Sequence, residues 1–390
     1  MSNTVFDDAR LITRHISAWR RYLHANPELS GQERMTAGFL AGELRKIDLK
    51  PEENIGDTWG LSATLRIDDR PAVALRADMD ALPVSEQTGL EFASTKNGVM
   101  HACGHDAHMA MLLGAAVLLR QRARELKRSV KLIFQPHEEL YPGGASAMIA
   151  GGVLADVESI LGLHIWSQLP TGTIGTRIGP FMSSVNDIEM EIEGKGGHAA
   201  MPHECIDPIV VAAQIINALQ TAVSRSISMT DNAIVSITTM KAGSAYNIIP
   251  PTAHLSGTIR TLNEAVRARV CTRVCEIAEG IAGANRATAR VEIKPGYPVT
   301  VNDENVVKRV RVAARKLGVS EEGLLDLDAQ GGGEDFAYYG QQIPAALVFL
   351  GGGSVQEGGS YPHHHPRFDI NEAALPLGAA LLAQYALQTE

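Results

Sequence analysis

Cysteine is scarce in this 390-residue chain: its four, Cys103, Cys205, Cys271 and Cys275, are too few and too irregularly spaced to staple a disulfide scaffold. Reduced thiols and a cytoplasmic setting are the expectation. Aromatic residues reach only 5%. Basic charge is short as well, since 35 Lys and Arg stand against 44 Asp and Glu, a formal net charge of -9 with no basic block. That balance excludes nucleic acid and anionic membrane as expected partners. Long hydrophobic runs are absent too. The most apolar stretches, residues 109–119 and 375–382, fall short of the roughly 20 residues a membrane helix needs. The opening MSNTVFDDAR has no cationic segment followed by an apolar one, so neither export nor membrane insertion is expected.

What is present is an ordinary globular mixture, 45% hydrophobic and 20% charged, in a chain long enough for about two to three domains. Glycine is plentiful, and β-branched runs alternate with Ala/Leu-rich stretches, which favours a layered α/β architecture. The patterning predicts helices over 11–25, 106–126, 143–149 and 304–317, with a last one from Asn371. It predicts strands over 60–67, 72–77, 130–135, 159–165 and 345–350. Between them the texture changes to strand 186–193, helix 207–223, strands 233–240 and 253–261, helix 264–282 and strand 288–294. That βαββαβ order is the signature of a ferredoxin-like α+β unit. The domain expectation is therefore a larger domain with a central mixed sheet flanked by helices, residues 1–183 and 296–390, interrupted by an inserted domain, residues 184–295.

The densest chemical signal is Met100-His101-Ala102-Cys103-Gly104-His105-Asp106-Ala107-His108, just before a long helix. A single glycine between Cys103 and His105 lets a tight turn aim a thiolate and an imidazole at one point. A buried cysteine is often only a small hydrophobe, and flanking histidines such as His101 and His108 often serve as hydrogen-bonded supports. A second cluster, Gln135-Pro136-His137-Glu138-Glu139, follows a strand end, where open α/β sheets gather their sites. Neighbouring acids point in different directions, so one carboxylate is free to ligate a metal while the other faces water. His164 ends another apolar strand, and Tyr361-Pro362-His363-His364-His365-Pro366 adds three imidazoles. Ligands from so many regions exceed one tetrahedral ion with an open position, and a two-metal site follows more naturally. Asp78 and Asp80, at the end of strand 72–77, either orient ligating histidines or cap a turn.

In that order, LRADMDALP, MHACGHDAH, the QPxEE pattern, GLHIW, KGGHAAMPH, DPIVVAAQII, YNIIP, GTIRT, GGEDFAYY and HHPRFD resemble the di-metal amidohydrolases related to aminoacylase and glutamate carboxypeptidase. The branch containing hippurate hydrolase and the plant indole-acetyl-amino-acid hydrolases is the most similar, and the likeness spans nearly the whole chain. The resemblance implies metal ligands Cys103, His105, Glu139, His164 and His364, with Glu138 as catalytic base. The last motif departs from the usual pattern, because His363 stands where the family has leucine. His364 is chosen for its place two before Pro366, with His365 as the substitute. His137 likewise departs from the small residue usual before the acid pair.

The resemblance further implies that the inserted domain is a lid that pairs with its twin in a homodimer or homotetramer. His198, on the glycine-rich turn Gly194-Lys195-Gly196-Gly197, would reach over the substrate in the active site of the partner subunit. Asn247 and Arg260 would bind the carboxylate of an acyl-amino acid, the guanidinium matching it as a planar fork. The expected reaction is metal-dependent hydrolysis of an N-acyl-amino acid, hippurate-like or N-acetylated. Two divalent ions, Zn or Mn with Ni or Co as alternatives, would act as cofactors. Competing readings are a dipeptidase or carboxypeptidase of the same superfamily, a thiol hydrolase using Cys103, and a non-catalytic metal-binding scaffold.

Overall fold

The computed structural model describes residues 4–353 and 361–389. The chain divides into two compact units. The larger comprises Met1–Gly179, Val301–Asp328 and Asp335–Glu390; the smaller comprises Pro180–Thr300 and Ala329–Glu334. Among the described residues, no helix is long and apolar enough to cross a membrane.

The larger unit is built on an eight-stranded mixed sheet. Its order is Pro51–Glu53, Leu61–Leu65, Val130–Gln135, Ala72–Asp78, Val157–Trp166, Ala345–Gly351, Ile174–Thr176, Leu324–Asp326. The four central strands run parallel. Two of them, VKLIFQ and AVALRAD, are buried at every position, as a sheet covered on both faces requires. Parallel strands share one carboxyl edge, so Asp78, Gln135 and Trp166 open onto the same rim.

Helix His105–Gln121 is apolar almost all round and buried over most of its length, between the sheet and helices Thr13–Ala25 and Leu375–Gln388. Gly114 allows that packing, because a Cβ there would come within 2.9 Å of Ala379 Cβ.

The patterning located the main elements and missed particular boundaries. The expected helix 11–25 is helix Thr13–Ala25; Leu11 ends a separate helix, Val5–Leu11, and the break falls at Ile12, with the Thr13 hydroxyl donating to the Arg10 carbonyl at 2.8 Å. The long helix stops at Gln121 instead of 126. Asn371 caps a single 3-10 turn, Glu372–Ala374, and the last α-helix starts at Leu375. Helix Arg34–Lys46 was not anticipated.

In the smaller unit, four antiparallel strands lie in the order Ala233–Ala242, Thr252–Thr261, Ser184–Glu193, Thr288–Pro295. Helices Pro208–Ser224 and Glu264–Ala284 complete the βαββαβ unit. Strand Ser184–Glu193 alternates from Asn186 onward, burying Ile188, Met190 and Ile192 and turning Glu189 and Glu193 outward. Asp207 and Asn263 cap the two helices with their side chains.

Candidate metal centre

The site grows from the rim of the large sheet. Gly104 precedes helix His105–Gln121 at φ 86°, and a Cβ there would stand 2.5 Å from Ile165 Cγ2. Glycine at this point lets the chain turn so that Cys103 and His105 flank one space. Strand Val157–Trp166 brings His164 to it, with its Nε2 3.6 Å from Cys103 Sγ. The loop after Val130–Gln135 brings Glu139, whose Oε1 lies 3.8 Å from His105 Nε2 and 3.5 Å from His364 Nε2. The ligating atoms of Cys103, His105 and His164 lie within 4.8 Å of one another, as do those of Cys103, Glu139 and His364. Those of His105, Glu138 and Glu139 form a third such group. Six residues drawn from four chain regions thus meet in the larger unit. His365 is turned elsewhere: its ring stacks on Tyr361 and its Nδ1 accepts the Arg367 N–H.

Hydrogen bonds sort the histidines by which ring nitrogen is left bare. His105 donates Nδ1–H to the Asp80 carbonyl at 2.8 Å, and its buried Nε2 has no hydrogen-bond partner among the described residues. His164 donates Nδ1–H to the Ile165 carbonyl at 2.7 Å, leaving Nε2 facing Cys103. His108 differs. Its Nδ1 bonds Asp78 Oδ1 at 2.6 Å while its Nε2 accepts the Ile165 N–H at 2.8 Å, so both nitrogens are committed and the ring is a strut. His363 donates to the same Ile165 carbonyl at 3.0 Å. His101 is buried with neither nitrogen partnered among the described residues, and burial pushes it down to about 4, so it is neutral near pH 7.

The electrostatics suit cations. Burial alone would push His105 down, yet Asp78, Asp80 and Glu139 drive it up to about 10. Burial, then the charges of Glu139, Glu138 and Asp78, push the Cys103 thiol well above its ordinary range. A site that forces protons onto an imidazole and a thiol is one whose negative charge calls for positive charge. Glu139 Oε1 is buried and lacks a hydrogen-bond partner among the described residues, as His105 Nε2 does. Thiolate, imidazole and carboxylate donors together suit zinc and also admit manganese. The residues fit a pair of divalent ions.

Several supports are side chains to which the sequence patterns assign no role. Arg76, fully buried, donates to Asp78 Oδ2 at 2.7 Å and to Asp335 Oδ1 at 2.9 Å, holding the aspartate that holds His108. Arg76 lies in LRADMDALP and Asp335 in GGEDFAYY, so both motifs contain a support as well as site residues or their neighbours. Ser30 donates to Asp80 Oδ2 at 2.6 Å, and Glu33 accepts the His137 N–H at 2.8 Å. The polar turn Asn26-Pro27-Glu28-Leu29-Ser30-Gly31 was their only local mark.

The remaining candidates belong to the smaller unit. His198 is exposed on a two-residue strand paired with Ile248–Ile249, and its Nδ1 accepts the Ala200 N–H at 3.0 Å. Asn247 is beside it, its carbonyl accepting the Ala199 N–H at 3.1 Å. Arg260 lies on strand Thr252–Thr261, where its guanidinium donates to the Thr258 hydroxyl and to the Ile259 carbonyl.

Comparison with known proteins gives a consistent result. The model of peptidase family M20/M25/M40 matches residues 74–388. An N-acetylcysteine deacetylase of Bacillus subtilis is 42% identical over 369 residues, covering 94% of this chain and 95% of that protein. Thermostable carboxypeptidase 2 of Saccharolobus solfataricus is 40% identical over 98% of this chain and 97% of its own length. Among solved structures, a dinuclear metal binding peptidase of the M20 family from Bacillus subtilis superposes with a TM-score of 0.85. It is 37% identical and covers 97% of this chain and 98% of that one.

Proposed function

This chain belongs to peptidase family M20/M25/M40, the metallo-amidohydrolases and peptidases, and from that premise we propose that it hydrolyses the amide bond of N-acyl-amino acids. The observation that carries the proposal is the meeting of Cys103, His105, Glu139, His164 and His364 around one acidic space, buried at Cys103, His105 and His164 and open at His364, with Glu138 beside it. In this reading those five side chains hold two divalent ions, zinc or manganese by donor type. Bound there, the ions supply Lewis acidity and lower the pKa of a water from about 15.7 toward about 7.

The protein's own part is proton movement and orientation. Glu138 takes a proton from the attacking water as its oxygen bonds to the acyl carbon, and then delivers that proton to the nitrogen as the C–N bond breaks. His108, bonded to Asp78 and to the Ile165 N–H, braces the ends of the two strands that carry Asp78 and His164. In the proposed assembly His198 of one subunit would offer a ring N–H to the oxyanion developing in the other, and Arg260 and Asn247 would bind the carboxylate of the amino-acid portion. The smaller unit serves as lid and as the pairing surface of a homodimer or homotetramer. Its edge strand Ala233–Ala242 pairs on one side only and exposes Ile234 and Met240, which supports that assignment.

The experiment is a substrate panel of N-acetyl-amino acids, hippurate and dipeptides, run on zinc- and manganese-loaded protein with and without EDTA. Hydrolysis of acylated amino acids that stops with EDTA is expected. Turnover that survives exhaustive chelation would refute the metal reading. The likeness to a carboxypeptidase supports a second reading, in which dipeptides or longer peptides are cleaved faster than acylated amino acids. The same panel decides between them.

A further inference from the structure

The two acids of the site leave strand Val130–Gln135 through a constrained peptide. His137 sits at φ 61°, in the left-handed region that a residue with a Cβ avoids at a cost of about 1–2 kcal/mol. Its backbone is pinned on both sides: the N–H donates to Glu33 Oε1 at 2.8 Å, and the carbonyl accepts the Gly144 N–H at 2.8 Å. The same Glu33 oxygen accepts the Gly31 N–H at 2.9 Å. One residue beyond Glu138, the Glu139 N–H donates to Asp80 Oδ2 at 2.9 Å. Carboxylates from two other segments therefore grip the peptides on either side of Glu138.

Glu33 is a residue that packing alone does not explain. It is fully buried, and its Oε2 has no hydrogen-bond partner among the described residues. Burial and the neighbouring charge of Asp80 push its carboxyl up to about 7. A hydrophobic side chain would avoid that penalty and still fill the space. What it could not do is accept two N–H groups at one point.

We propose that Glu33 is a positioning residue for Glu138: by accepting the His137 N–H it holds that residue left-handed, so that Glu138 and Glu139 diverge to separate tasks. The inference rests on the reading of Glu138 as proton carrier. Misplacing a reacting group by about 1 Å is enough to lose roughly a hundredfold in rate.

The test is steady-state kinetics of metal-loaded Glu33→Ala, Glu33→Gln and Glu138→Gln on an N-acetyl-amino acid that the parent hydrolyses, with metal content measured for each. Glu33→Ala is expected to lower kcat about ten- to a hundredfold, with KM and metal content within about twofold of the parent. Glu33→Gln keeps an acceptor oxygen and restores kcat to within about threefold. A Glu33→Ala enzyme with parental kcat, or a Gln variant as slow as the Ala variant, overturns the proposal while Glu138→Gln stays inactive. If Glu138→Gln turns over normally, the reading of Glu138 fails first and this proposal with it. Should Glu33→Ala not fold, hydrogen exchange of the His137 amide in the parent decides: protection supports the bond to Glu33, and exchange at the rate of an open loop overturns it.

Discussion

At the residue scale, the buried histidines of the rim, His105, His108 and His164, differ in what their second nitrogen does. His105 and His164 each spend Nδ1–H on a backbone carbonyl, which fixes the tautomer and leaves Nε2 bare toward the acids and the thiol. His108 spends both nitrogens and is a brace. The distinction makes opposite predictions for neighbouring substitutions. Cys103→Ser removes a donor and should lower metal content, read by elemental analysis; an unchanged stoichiometry would take Cys103 out of the ligand set. Asp78→Asn weakens the brace and removes the charge 3.7 Å from His105 Nε2 while leaving the five proposed ligands in place, so stoichiometry should persist while affinity falls about 10–100-fold. Competition with a chromophoric chelator measures that fall, and an unaltered affinity would show that His105 and His164 are held without help from Asp78.

At the scale of elements, the turn into helix His105–Gln121 concentrates the design. Its amino end carries Cys103 and His105 only because Gly104 adopts φ 86° within 2.5 Å, measured from a hypothetical Cβ, of Ile165. Gly104→Ala adds left-handed strain to a collision with the strand that carries His164. We expect it to depress the melting temperature and the metal content together, and a variant that loaded metal normally would mean that the strand yields instead. This turn was legible in the sequence, because Cys, Gly and His side by side before an apolar run say what the backbone must do. The acids that support the segment after strand Val130–Gln135 were not. Glu33 stands 104 residues from His137 and Asp335 stands 200 from Gln135, distances at which no local periodicity carries information. Helix Arg34–Lys46 was missed for a related reason. Glu33 precedes it without a side-chain cap bond, because that carboxylate is used on Gly31 and His137 instead.

For the larger unit as a whole, a largely buried ionic cluster ties distant parts of the chain next to the candidate metal centre. Arg20 donates to Asp106 at 3.1 Å, to Asp369 at 2.7 Å and to Glu372 at 3.2 Å. His24 bridges Asp106 Oδ2 at 2.9 Å and Glu86 Oε1 at 3.1 Å. Helix Thr13–Ala25, the start of helix His105–Gln121 and the segment before the last helix are thereby joined. Burial alone would push His24 down, yet its hydrogen bonds to Asp106 and Glu86 raise it to about 9. The folded chain binds that proton more tightly than the unfolded one, whose histidine titrates near 6.5. The stabilisation is therefore complete below about 6.5 and fades as pH rises through about 9. Removing one partner of a buried pair costs about 3–5 kcal/mol, so His24→Gln should melt well below the parent at pH 6. The gap should narrow steadily toward pH 9.5. Melting both proteins in the metal-loaded form keeps His105 from titrating across the same range. A gap that stayed constant from pH 6 to 9.5 would mean that His24 is held neutral and contributes shape alone.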